Sequence, residues 1–218
     1  MPARLRPTAS IAPDAILVGD PGRALMLAQE LLEQPKMSNH ARGLWGYTGT
    51  TPAGDELTIQ STGMGGPSAS VVLADLAELG VRRAIRIGTC ASLGDLKLGD
   101  LVVVGEARGA LASHEDGEAP RPDRGLTEGL HARLPEAEAA SVVSLDTLYR
   151  PERDLPSVLT DAADMQTASL LATAAEREVG LAALLIVSEK SDSGQLRDED
   201  LEEVAKRAGF AAASLLST

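Results

Sequence analysis

The sequence predicts an α/β fold, a single domain built on a central mixed, twisted β-sheet flanked by helices. Three observations carry this. Ala15–Val18, Ala84–Gly88, Leu101–Val104 and Leu181–Val187 are nearly continuous apolar runs, the pattern of strands buried on both faces. Segments of helical period separate or follow them, at about 24–32, 67–79, 164–178 and 198–216. Glycine-rich turns close several of the apolar runs, as expected where open α/β sheets bind ligands. With 218 residues, 44% of them hydrophobic, the chain can bury one sizeable core.

Each element follows from local chemistry. After a proline-containing start, strand 15–18 meets the turn Gly19-Asp20-Pro21-Gly22-Arg23, which leads into a helix from Ala24 to Leu32. Gln34 to Gly43 is polar and reads as a loop. The runs 44–50 and 56–62 alternate in polarity and are joined by Pro52-Ala53-Gly54-Asp55, a β-hairpin signal. Gly63-Met64-Gly65-Gly66 is a turn before the helix 67–79, in which Pro67 suits the first turn and Gly80 the end. Gly88-Thr89-Cys90-Ala91 reads as a second glycine turn, at the end of a strand neighbouring the one that closes at Gly63. From Gly105 to Pro135 the pattern fades into a loop with a short helix near 125–134, followed by strand 140–143. Asp164 falls in the first turn of the helix 164–178, where an acid suits the helix dipole.

Composition excludes several function classes. Aromatics make up 2% of the chain and the net charge is −12, so neither base stacking nor a basic field favours nucleic acid. Any anion site must be a local arginine cluster. Cys90 is the single cysteine, which rules out an internal disulfide and gives no zinc-type spacing. No apolar run approaches the ~20 residues of a membrane span, and the amino terminus lacks a signal-like apolar core, so a cytoplasmic protein is expected.

Among single residues, Arg86 interrupts an apolar strand, and a charge there is costly unless it is paired or aimed at a ligand. Arg23 stands at a helix amino terminus, where anions are favoured, yet it also fits a solvated turn. Arg42 alone reads as a surface arginine.

Four co-linear stretches, Gly19 to Ala24, Asn39 to Gly49, Ser61 to Ser68 and Arg86 to Thr89, resemble the hexameric purine nucleoside and uridine phosphorylase family. The resemblance implies a nucleoside-phosphorylase-like fold and a pentosyl transfer in which phosphate displaces the base of a nucleoside, with inorganic phosphate as co-substrate and no cofactor or metal. It places Gly19, Arg23, Arg86 and Thr89 at phosphate, and makes Arg42 a residue lent to a neighbouring subunit across the dimer interface of a homo-oligomer. Met64, Asp164, Met165 and Gln166 fall at the ribose, Leu148 and Ser188 near the base, and Glu189 where an acid would protonate the leaving base. Gln166 stands where the family has a glutamate, Leu148 where it usually has an aromatic, and Glu189 where purine enzymes have an aspartate. Three readings stay open beside a purine nucleoside phosphorylase. They are a uridine phosphorylase, a nucleoside hydrolase, and a catalytically impaired member that binds nucleoside or phosphate.

Overall fold

A computed structural model describes residues 4–109, 120–146, 160–190 and 193–217. Ten strands form one mixed sheet: β1 (Asp14–Val18), β2 (Glu33–Asn39), β3 (Gly46–Thr50), β4 (Glu56–Ser61), β5 (Arg83–Ser92), β6 (Leu101–Gly109), β7 (Glu138–Ser144), β8 (Ala162–Asp164), β9 (Gly180–Lys190) and β10 (Gly194–Gln195). Their order is β10-β9-β6-β7-β8-β5-β1-β4-β3-β2, and β9 also pairs with β5. Strands β5, β9, β6, β7 and β8 therefore close into a ring, while β1 to β4 extend from β5 as an open sheet. Five α-helices flank it: α1 (Pro21–Leu31), α2 (Gly66–Glu78), α3 (Arg124–Arg133), α4 (Thr167–Glu176) and α5 (Asp198–Leu216).

The apolar strands alternate between two cores. Ile16, Val18, Ile85, Ile87, Leu184 and Ile186 join the cluster under α1, α3 and α5. Ala15, Leu17, Ala84, Ala183, Leu185 and Val187 face the cluster under α2 and α4. Burial on both faces explains why these strands lack the polar alternation of a half-exposed sheet. None of the described helices is long and apolar enough to cross a membrane.

Several boundaries differ from the sequence-based expectation, each for a physical reason. Residues 33–39 form β2, not a loop; this strand lies at the margin of the sheet, where polar residues and Pro35 leave few ladder bonds unmade. Its register shifts between Glu33 and Lys36, and Gln34 takes a left-handed φ of 48°. Helix α1 begins at Pro21 because the side chain of Asp20 caps it, accepting from the Arg23 amide at 2.7 Å. Asp164 ends β8 and lies outside the first turn of α4. Strand β6 continues past the expected residue 104 to Gly109. The strands closing at Gly63 and carrying Gly88 are not neighbours, since β1 lies between β4 and β5.

Gly88 is the most informative correction. It is not in a turn; β5 runs through it to Ser92. The side chains of Arg86 and Gly88 positions share one face of the strand, and a Cβ on Gly88 would sit 2.5 Å from Arg86 Nη2 and 2.7 Å from its Cζ. Glycine is there so that the guanidinium can lie across the strand.

Candidate functional site

Strand β5 opens the site by changing partners. On one edge it pairs with β9 along its whole length. On the other it pairs with β1 as far as Val18↔Ile87, and then with β8 from Ala91↔Ala163. Among the described residues, Gly88, Thr89 and Cys90 have ladder partners only on the β9 side. Here β1 and β8 part, and a gap between diverging strand ends is where open α/β sheets bind ligands.

Gly19 follows β1 at this gap, with its Cα so placed that a Cβ would meet the Gly63 carbonyl at 3.4 Å and Gln166 Oε1 at 4.0 Å. The turn after β4, with Gly63 at φ 72° and Gly65 at φ 80°, is thereby brought against the end of β1. The hydroxyl of Ser68 secures that turn by donating to the Thr62 carbonyl at 2.6 Å.

Arg86 is only 4% exposed, and all three faces of its guanidinium are held. Nε donates to Thr167 Oγ1 at 3.1 Å, Nη1 to Gln166 Oε1 at 2.6 Å and Nη2 to Asp164 Oδ2 at 3.0 Å. Asp164, 1% exposed, is the hub. Its carboxylate also accepts from Ser144 Oγ at 2.5 Å, from Thr167 Oγ1 at 2.6 Å and from the Thr167 amide at 3.0 Å. The buried ion pair thus satisfies the burial cost that a charge in an apolar strand would otherwise carry.

Gln166 is equally committed. Its Oε1 accepts from Arg86 and from the Thr62 hydroxyl at 3.0 Å, while Nε2 donates to the carbonyls of Gly63 at 2.7 Å and Gly65 at 3.3 Å. Two acceptor and two donor positions are all that a side-chain amide has. The residue is a clamp between Arg86 and the glycine turn, and its orientation is fixed because only the nitrogen can face two carbonyls.

Arg23 comes in from α1, half-buried, and its guanidinium makes no hydrogen bond or ion pair among the described residues. Burial lowers its pKa from the ordinary guanidinium value; the carboxylate of Asp20 works the other way, and the charge of Arg86 adds to the lowering. Two cations that feel each other beside a gap, one of them unpartnered, make a place where an anion is attracted. Thr89 lies on the stretch of β5 that pairs only with β9, half-buried.

The other candidates lie around this center unevenly. Met64 projects from the glycine turn, 83% exposed, and Met165 is half-buried between Asp164 and Gln166. Ser188 Oγ is 3.4 Å from the Cys90 carbonyl that accepts from it, and Glu189 pairs in register with Ala91 and accepts from Gln195 Nε2 at 3.4 Å. Leu148 lies outside the described residues. Arg42 does not join Arg23 and Arg86: it is exposed, at φ 60° in the turn Ala41–Gly43, beside a cavity also lined by Arg4, Arg6 and His40. Sequence reasoning missed Ser144, Thr167 and Thr62, which hold the site from behind; Thr167, directly after Gln166, carried the only local signal, a hydroxyl at a helix start.

Residues 13–218 match the family model described as the phosphorylase superfamily. A purine nucleoside phosphorylase, DeoD-type, of Bacillus cereus (strain ZK / E33L) is 32% identical over 205 residues, covering 85% of each chain. A protein of the same description from Bacillus thuringiensis (strain Al Hakam) matches with the same identity and coverage. Among solved structures, purine nucleoside phosphorylase from Toxoplasma gondii in complex with immucillin-H superposes with a TM-score of 0.82 at 23% identity, over 95% of this chain and 90% of that one.

Proposed function

Since the chain belongs to the phosphorylase superfamily, we propose that it is a nucleoside phosphorylase, with purine nucleosides favoured as substrates. The observation that carries the reading is the pair Arg23 and Arg86, set with Gly19 and Thr89 around the unpaired edge of β5. A nucleosidase using water has no need of such a pair.

In this reading inorganic phosphate is the co-substrate. Arg86 is neutralised by Asp164, so Arg23 and the Arg42 of a neighbouring subunit supply the surplus positive charge that a phosphate dianion needs. Thr89 and the amide of Gly19 complete its hydrogen bonds. Held in this way, a phosphate oxygen attacks the anomeric carbon of the ribose as the carbon–nitrogen bond to the base breaks. The electron pair of that bond leaves with the base, which takes a proton from Glu189, and ribose 1-phosphate remains.

Met64 and Met165 flank the sugar, and Gln166 supports it from beneath. Gln166 has spent its hydrogen bonds on Arg86, Thr62 and the glycine turn, and it brings no charge. The negative charge opposite the cationic sugar of the transition state then comes from the phosphate itself. Leu148 and Ser188 bound the base. The DeoD-type relatives support the purine preference through their own names, and an acid directly after Ser188 fits a purine leaving group.

The test is free base released from inosine, guanosine, adenosine, uridine and thymidine, with and without phosphate. Release that requires phosphate and favours the purine nucleosides is expected. Equal release without phosphate would make the protein a hydrolase, faster release from uridine would make it a pyrimidine enzyme, and tight binding with no release would leave it a binding protein.

A further inference from the structure

Glu189 reaches its place through an irregularity in β9. Cys90 pairs with Val187 and Ala91 with Glu189, so Ser188 is an extra residue on the β9 side of the ladder. A bulge of this kind bends the strand and re-aims the side chains beside it. Ser188 is fastened on both sides, its hydroxyl donating to the Cys90 carbonyl at 3.4 Å and its carbonyl accepting from the Leu196 amide at 2.8 Å. The second bond lays β10 along β9, with Gly194 opposite Lys190 and Gln195 opposite Glu189. Leu196 packs against the core under α1, α3 and α5, which anchors this two-residue strand.

Opposed residues of an antiparallel pair present their side chains on one face, with Cβ atoms about 4.5–5.5 Å apart. Glu189 thus lies between two cross-strand neighbours. Ala91 of β5 brings only a methyl group. Gln195 brings an amide, whose Nε2 donates to Glu189 Oε1 at 3.4 Å. Lys190, the next residue, is occupied elsewhere, its Nζ donating to the Leu96 carbonyl at 3.1 Å. Among the described residues the carboxyl group of Glu189 therefore rests on a neutral donor and on no cation.

We propose, resting on the phosphorylase reading above, that Gln195 is a positioning residue for departure of the base and acts through Glu189. A glutamate side chain turns about several bonds, and an acid that must meet one ring nitrogen gains when that freedom is removed in advance. The amide also sorts the two oxygens. In a protonated carboxyl group one oxygen carries the proton, and the other is left to accept. Because Gln195 donates to Oε1, the proton is kept on Oε2, the oxygen left to face the base. A lysine or arginine in place of Gln195 would instead favour the ionised group, which has no proton to give. As the carbon–nitrogen bond breaks, its electron pair passes to the base and the Oε2 proton to a ring nitrogen. Glu189 is left as a carboxylate, and the same hydrogen bond from Gln195 then strengthens on that charge.

The test compares two leaving groups. Hypoxanthine leaving inosine must gain a proton, whereas the base of 7-methylinosine is already cationic and departs neutral without one. Gln195 is exposed, so Gln195→Leu leaves the core untouched. It should lower kcat on inosine about five- to tenfold, the worth of one neutral hydrogen bond, with kcat on 7-methylinosine and the KM for phosphate unchanged. Added to Glu189→Gln it should cost nothing further on inosine, because its effect passes through Glu189. Equal losses on both nucleosides, no loss on inosine, or losses that add in the double variant would each overturn the proposal and leave the phosphorylase reading in place. Absence of phosphate-dependent release by the wild type would overturn that reading, and the proposal with it.

Discussion

At the residue scale the chemistry turns on how Arg86 is held. Gln166 faces two carbonyls through its nitrogen, so Gln166→Glu would set a carboxylate against Gly63 O and Gly65 O. We expect it to lower stability by about 1–3 kcal/mol, the cost of buried carbonyls losing their donor, visible in a denaturant titration. Unchanged stability with faster turnover would mean that the side chain serves the ribose directly. Gly88→Ala places a methyl 2.5 Å from Arg86 Nη2 and 2.9 Å from Leu185 Cδ2. It should cost about 1–3 kcal/mol and displace the guanidinium, so that the KM for phosphate rises more than the KM for nucleoside. Arg86 was legible in the sequence because a charge inside an apolar strand demands a reason. Its contacts with Asp164 and Thr167 were not, since those two look like ordinary residues of a helix start until the fold converges on them.

At the element scale, β5 sets the site by running on where a turn was expected. Glycine in a strand and glycine in a turn look alike in one dimension; the guanidinium that needs the space decides between them. The apolar strands and the helices packed on them could be read from periodicity, but β2 could not, because an edge strand is free to be polar. Cys90 checks the burial of β5 beyond Gly88. Burial, and after it the charge of Asp164, push its thiol up to about 12, with Arg86 opposing. The thiol should therefore resist iodoacetamide at pH 8 in the folded protein and react after unfolding. The sign of the linkage follows: the unfolded thiol ionises first, so the contribution of this group to stability is complete below its ordinary value near 9 and falls as pH rises from there toward 12. Rapid native alkylation would contradict the packing of this strand.

At the scale of the whole molecule, Arg42 stands apart from Arg23 and Arg86, and the proposed reaction needs it from a neighbour. Mixing separately inactive Arg42→Gln and Arg23→Gln chains tests this. In a mixed pair the Arg42→Gln chain keeps its own Arg23 and borrows an intact Arg42, so activity should return; no recovery would place Arg42 outside the site. The central claim is that phosphate, not water, receives the sugar. The most direct measurement is the phosphorus NMR spectrum of a reaction with inosine and inorganic phosphate. The account predicts a ribose 1-phosphate resonance growing in step with hypoxanthine release. Hypoxanthine appearing with free ribose and an unchanged phosphate signal would contradict it.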